Sequence, residues 1–132
     1  MNGLLTFLAK AKVCNRSTKR CAKAKTRFGI DTGATTTFGS RRALHFLEAK
    51  LGPIPRSPVM AGTPGGVTAL ERSEQVNLCL LQSCVKGISF VPADIPVDLM
   101  LGADFLDANG CAVDYKSRRL TCRNFKSKLE KR

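Results

Sequence analysis

The stretch Phe28-Gly29-Ile30-Asp31-Thr32-Gly33-Ala34-Thr35-Thr36-Thr37-Phe38 sets one carboxylate between an apolar strand end and a run of hydroxyl residues. Asp followed by Gly is good turn chemistry, because a short polar side chain bonds its own backbone and Gly accepts unusual φ. In such a turn Gly33 lets the backbone pass close to the Asp31 carboxyl, and Thr32 supplies a hydroxyl that can lock the loop.

Upstream, Leu5, Phe7, Ala9, Ala11 and Val13 alternate with Lys10 and Lys12, the period-two pattern of a half-buried strand. The polar run from Asn15 to Arg20 reads as a loop, and residues 21–30 as a second strand. Strand, loop and strand make a hairpin that delivers Asp31 at its end. Downstream, residues 40–51 carry the helix signal: Ser40 as N-cap, Ala43, Leu44, Leu47 and Leu51 on one face, and Gly52-Pro53 as a stop. His45 beside that stripe reads as a surface or packing residue.

Thr63-Pro64-Gly65-Gly66 suits a type II turn at a hairpin tip spanning Val59 to Val67. Residues 67–82 read as one strand, Gln82-Ser83 as a turn, and the chain through Ile88, Phe90 and Val91 as another strand. Asp98-Leu99-Met100-Leu101-Gly102 reads as a short buried strand, Ala103 to Asn109 as a short helix with Gly110 after it, and 111–115 and 119–123 as closing strands. Many short strands with one or two short helices define an all-β domain. The chain of 132 residues suits one domain, 1–132, with a core of about 4–123 and a basic C-terminal tail of about 124–132.

Charge is unevenly spread. Residues 1–27 carry a net +8, residues 28–115 a net −3 and residues 116–132 a net +7. Basic ends can touch polyanions through phosphates, but solvated ends that aid solubility are the expected reading, since no aromatic residues interleave for base stacking. The six cysteines, Cys14, Cys21, Cys79, Cys84, Cys111 and Cys122, fit no zinc spacing, and no secretory leader or membrane-length apolar run is present. Free thiols in a reducing compartment, and hence a cytoplasmic location, are expected, with an even count leaving disulfides open.

Peptide hydrolysis by water needs one carboxylate to take a proton while another carboxyl gives one. Two carboxyls held close cannot both ionise, so they share a proton. The chain holds no second D-[ST]-G, and Asp98, Asp104, Asp107 and Asp114 lack that context. Two copies of Asp31 would therefore have to meet on a two-fold axis.

Asp31-Thr32-Gly33-Ala34, taken with Asp98-Leu99-Met100-Leu101-Gly102-Ala103-Asp104-Phe105-Leu106, resembles the retropepsin family of aspartic proteases. The likeness covers roughly residues 4–123 and looks nearest to retrotransposon proteases and to the related domain of DNA-damage-inducible ubiquitin shuttle proteins. It implies a retropepsin-like acid protease half-barrel with one or two short helices, working as a homodimer on a peptide or polyprotein. By that resemblance Asp31 is the catalytic aspartate, Thr32 braces the two catalytic loops across the dimer, and Gly33 and Ala34 line the substrate. Gly62, Thr63, Pro64, Gly65 and Gly66 form the flap tip over the peptide, and Leu101-Gly102 packs beneath the catalytic loop. No metal or cofactor is implied, and no membrane contact.

The chain also departs from the retroviral pattern. Thr35 stands where the family usually has Asp, and Ala103 where it usually has Arg, so an ion pair near the dimer contact is absent as a unit. Basic chain ends would repel each other at low salt if they met in a dimer. A catalytically inactive module for dimerisation or peptide binding, and a polyanion-binding module with weak nucleic-acid contact through the basic ends, are the alternative readings.

Overall fold

The computed structural model describes residues 4–54, 56–63, 66–73, 76–80 and 83–132. Strands β1 (Leu5–Asn15) and β2 (Cys21–Ile30) form the expected hairpin, in register from Thr6↔Gly29 to Cys14↔Cys21. Phe7, Ala11 and Val13 are buried while Lys10 and Lys12 are exposed, so the alternation read from the sequence sets the inner face. Phe7 and Phe28, directly opposite in register, stack with centroids 5.1 Å apart, a cross-strand pair that fixes one register against its slips.

Asn15 is the last residue of β1 rather than loop, and it is buried. Its amide donates to the carbonyls of Leu51 and Pro53 at 3.2 and 3.3 Å, and its side-chain oxygen accepts from the Ser17 and Thr18 amides. The hairpin turn is thereby tied to the end of helix α1 (Arg41–Leu51). That helix starts at Ser40, whose hydroxyl accepts from the Ala43 amide at 3.1 Å, and stops at Gly52 with φ of 82°. Leu44, Leu47 and Leu51 are its buried face.

Strand β3 (Phe38–Ser40) precedes the helix, and after it come β4 (Arg56–Thr63), β5 (Gly66–Ser73), β6 (Val76–Leu80), β7 (Ser83–Ile88), β8 (Val91–Ala93) and β9 (Leu99–Leu101). Residues 67–82 are thus two strands, not one. β5 pairs with β4 as far as Ser73, whereas β6 joins β1 at the other side of the fold. The strand expected through Ile88, Phe90 and Val91 is also divided, because β7 pairs with β6 and β8 pairs with β3. A strand that changes partner must break its ladder, and uniform apolar alternation cannot mark that break.

The main sheet runs β7-β6-β1-β2-β9-β3-β8 and curls into a half-barrel with two short helices. Its centre is crossed: β9 pairs parallel with β2 and antiparallel with β3. Helix α2 (Ala103–Ala108) follows β9, with Asn109 as C-cap and Gly110 at φ of 58°. A three-stranded sheet β10-β11-β12 closes the end, from β10 (Ala112–Asp114), β11 (Arg119–Thr121) and β12 (Lys126–Lys128).

Residues 124–132 are not a loose tail: Phe125 and Leu129 are buried in the core, and β13 (Glu130–Lys131) pairs with Leu5 and Thr6 of β1. The cysteines are not free thiols either. They pair as Cys14–Cys21, Cys79–Cys84 and Cys111–Cys122. Cys14 faces Cys21 and Cys79 faces Cys84 in register, and Cys111 and Cys122 directly flank the Ala112↔Thr121 pair. Opposed positions of antiparallel hairpins bring the side chains together, which the search for zinc spacings did not consider.

Candidate active site

Asp31 begins the loop between β2 and β3, with its side chain exposed. Three hydrogen bonds fix it. Its amide donates to the Leu101 carbonyl at 3.0 Å, its carbonyl accepts from the Ala34 amide at 3.2 Å, and its Oδ1 accepts from the Gly33 amide at 3.0 Å. A Cβ built on Gly33 would lie 3.4 Å from that same Oδ1, an ordinary contact, so space alone does not demand glycine at this position. The result is a solvent-facing carboxylate on a rigid turn with one oxygen still unengaged by the described residues.

The floor beneath the loop is Leu101-Gly102-Ala103. The Ala103 amide donates to the Ala34 carbonyl at 2.7 Å and the Asp104 amide to the Thr35 carbonyl at 3.2 Å. Gly102 passes so near that a Cβ there would sit 2.5 Å from the Thr36 carbonyl oxygen, and backbone cannot yield to it. The expected packing of Leu101-Gly102 under the loop is present, and its cause is this close approach.

Asp104 holds the far end of the loop, a role its sequence context did not signal. Its Oδ2 accepts from the Thr37 amide at 2.9 Å, and its Oδ1 accepts from the Thr37 hydroxyl at 2.7 Å and the Phe105 amide at 2.8 Å. The fully buried Thr37 hydroxyl in turn accepts from the Gly102 amide at 3.2 Å. One carboxylate therefore links the loop, the β9 end and the first turn of α2. Asp98 does similar work next door, accepting from the Arg27 amide at 2.8 Å.

Thr32 is exposed, and its hydroxyl lies 3.2 Å from the phenol of Tyr115 in the same chain. Tyr115 was not anticipated at the site; that it is the chain's single tyrosine was the available signal. Asp31, Thr32, Gly33 and Ala34 thus share one loop. Gly62, Thr63 and Gly66 lie in the separate β4–β5 sheet, at its last pairs Gly62↔Val67 and Thr63↔Gly66. Pro64 and Gly65, between those pairs, lie outside the described residues. Among the described residues no cluster of His, Cys, Asp or Glu is arranged to ligate a metal ion. No described helix is long and apolar enough to cross a membrane.

No family model matches the sequence. No curated protein matches it either. Among solved structures the chain is similar to the retroviral protease-like domain of Ddi1 from Leishmania major. The match has a TM-score of 0.57 at 18% identity and covers 98% of this chain and 95% of that one. Taken with the crossed β2–β9–β3 centre beneath the Asp31 loop, the whole-chain match establishes a retropepsin-like fold.

Proposed function

We propose that this chain is one half of an aspartic endopeptidase, active when two copies bring their Asp31 carboxyls together. The observation that carries the reading is the exposed Asp31 carboxylate, fixed by the Gly33 amide and seated over Leu101 within a retropepsin-like fold. In the shared pair one carboxyl is ionised and the other protonated. The ionised one takes a proton from water as the water oxygen bonds to the peptide carbonyl carbon. The protonated one hydrogen-bonds the carbonyl oxygen, and a proton then passes to the amide nitrogen as the carbon–nitrogen bond breaks. An extended peptide would lie as a strand between the floor and the β4–β5 hairpin, with Ala34, Gly62, Thr63, Pro64, Gly65 and Gly66 beside it. Segments of a retroelement polyprotein are the substrate class we assign.

The test is cleavage of an extended peptide library by the purified chain and by Asp31→Asn. The amide oxygen of Asn can still accept from the Gly33 amide, so the fold should persist while cleavage is lost. Cleavage by Asp31→Asn at the wild-type rate would sink the assignment.

A second reading is a non-catalytic peptide-binding module of the same fold. Two observations favour it. The Thr32 hydroxyl is engaged by Tyr115 of its own chain, and β13 pairs with β1 of its own chain rather than being left for a partner. A strictly monomeric mass at all concentrations and salts would select this reading. Cytoplasmic residence is carried as a proposal, with the three disulfides standing against it, since such bonds persist in oxidising surroundings.

A further inference from the structure

The lysines of β1 and β2 stand on a folded hairpin. On the outer face of the β1–β2 hairpin, Lys10 stands directly opposite Lys25 and Lys12 directly opposite Lys23. All four are exposed. Residues opposed in this way have Cβ atoms about 5 Å apart, and alternate residues along a strand are about 7 Å apart. Four ammonium groups therefore rise from a small rectangle, and like charges so placed destabilise the pairing they sit on. Strands β1 and β2 contain no acidic residue. Among the described residues none of the four lysines is ion-paired; the nearest cation on that face, Arg27, takes Glu130 at 3.3 Å.

The rectangle is framed on two sides by disulfides, Cys14–Cys21 at the hairpin end and Cys79–Cys84 on β6 and β7. A shallow depression of about 340 Å³ is lined by Lys10, Lys12, Lys23, Cys79 and Cys84. The backbone beneath the cations is thus stapled and has little freedom to lose on binding.

We propose that this face binds the phosphate backbone of double-stranded nucleic acid without reading its sequence. The charge is complementary to a polyphosphate, and lysine acts as a point charge suited to phosphate oxygens. A single strand would call for stacking rings, and none of the residues on β1 and β2 of this face is aromatic. A membrane surface would call for an apolar partner to the charge, and Leu8 is the only exposed large apolar side chain of these two strands. The proposal stands apart from catalysis at Asp31.

The experiment is fluorescence anisotropy of a labelled mixed-sequence DNA duplex titrated with the full chain from 50 to 200 mM salt. The variants are Lys12→Gln/Lys23→Gln and the quadruple Lys10→Gln/Lys12→Gln/Lys23→Gln/Lys25→Gln, with folding checked by circular dichroism. Each lysine that contacts phosphate should account for about 0.9 in the slope of log affinity against log salt. The double variant should lower that slope by about 2 and weaken binding about tenfold or more at low salt, while Asp31→Asn binds as wild type. If the quadruple does not fold, the double variant decides. The proposal would be overturned by no duplex binding at 50 mM salt, by unchanged binding by the double variant, or by loss of binding only on Arg119→Gln/Lys126→Gln/Lys128→Gln in the closing sheet. Binding to vesicles of anionic lipid with none to duplex would overturn it in favour of a membrane.

Discussion

The Thr32 hydroxyl and the Tyr115 phenol lie 3.2 Å apart, which places the closing sheet's first turn against the loop that carries Asp31. If Thr32 braces a partner's loop in the dimer, Tyr115 competes with that partner for the same hydroxyl. Tyr115→Phe removes the competitor. The dimer constant should tighten by up to about tenfold, the worth of one hydrogen bond of about 0.5–1.5 kcal/mol. Sedimentation equilibrium measures it, and a weakened dimer would show instead that Tyr115 supports the association.

Thr37 is fully buried and shares its hydroxyl between the Asp104 carboxylate and the Gly102 amide. Thr37→Val keeps the shape and strands both partners. Unfolding in urea should report a loss of about 2–3 kcal/mol, because hydrogen bonds to charged groups are the stronger kind and their loss leaves buried groups unsatisfied. Asp104→Asn, which retains an acceptor, should cost less. A loss below about 0.5 kcal/mol for Thr37→Val would mean that water replaces the hydroxyl.

The three disulfides close short loops, with sequence separations of 7, 5 and 11. On the loop-entropy argument each contributes about 2–3 kcal/mol, the Cys111–Cys122 bridge the most. Replacing each pair by serine and measuring thermal unfolding checks the order. Alkylation of the chain in freshly lysed cells, followed by mass measurement, checks the compartment. Six modified thiols would support cytoplasmic residence, and an unmodified chain would exclude a reducing one.

Asp114 is exposed, and its carboxyl is held below the ordinary value of 3.8 by hydrogen bonds from the Ser117 backbone and side chain and the Lys116 backbone. A depressed folded-state pKa adds stability that is present above the ordinary value and is lost as pH falls through the depressed one. The turn between β10 and β11 should therefore stay intact at pH 4 and loosen only in stronger acid. The Ser117 amide shift followed by NMR reads this directly, and a transition above the ordinary carboxylate range would contradict it.

Much of this architecture could be read from residue order. The Lys10/Lys12 alternation gave β1, the Ser40 and Gly52 boundaries gave α1, and the family resemblance implied that Leu101-Gly102 lies under the Asp31 loop, though not that β9 pairs parallel with β2 and antiparallel with β3. What escaped depended on pairing across the chain. Alternation shows which side of a strand is buried but not which strand lies next to it, so neither the change of partner from β5 to β6 nor the one from β7 to β8 was visible. Charge content hid Phe125 and Leu129 inside a stretch that looked like solvent-exposed tail. Asp104 stood inside the stretch that carries the resemblance, but its role was not legible, since its partner Thr37 is 67 positions earlier. Opposed cysteines become legible only once a hairpin register is drawn.

The β1–β13 pairing brings Leu5 opposite Lys131 and Thr6 opposite Glu130. Leu4 and Arg132 exchange backbone hydrogen bonds in both directions, so these two residues lie side by side. A host chain interrupted by this domain would resume where it stopped, with no gap to span. A closed circle made by bridging those two residues with a few glycines, then cut in an exposed turn such as 116–118, should refold to the same structure.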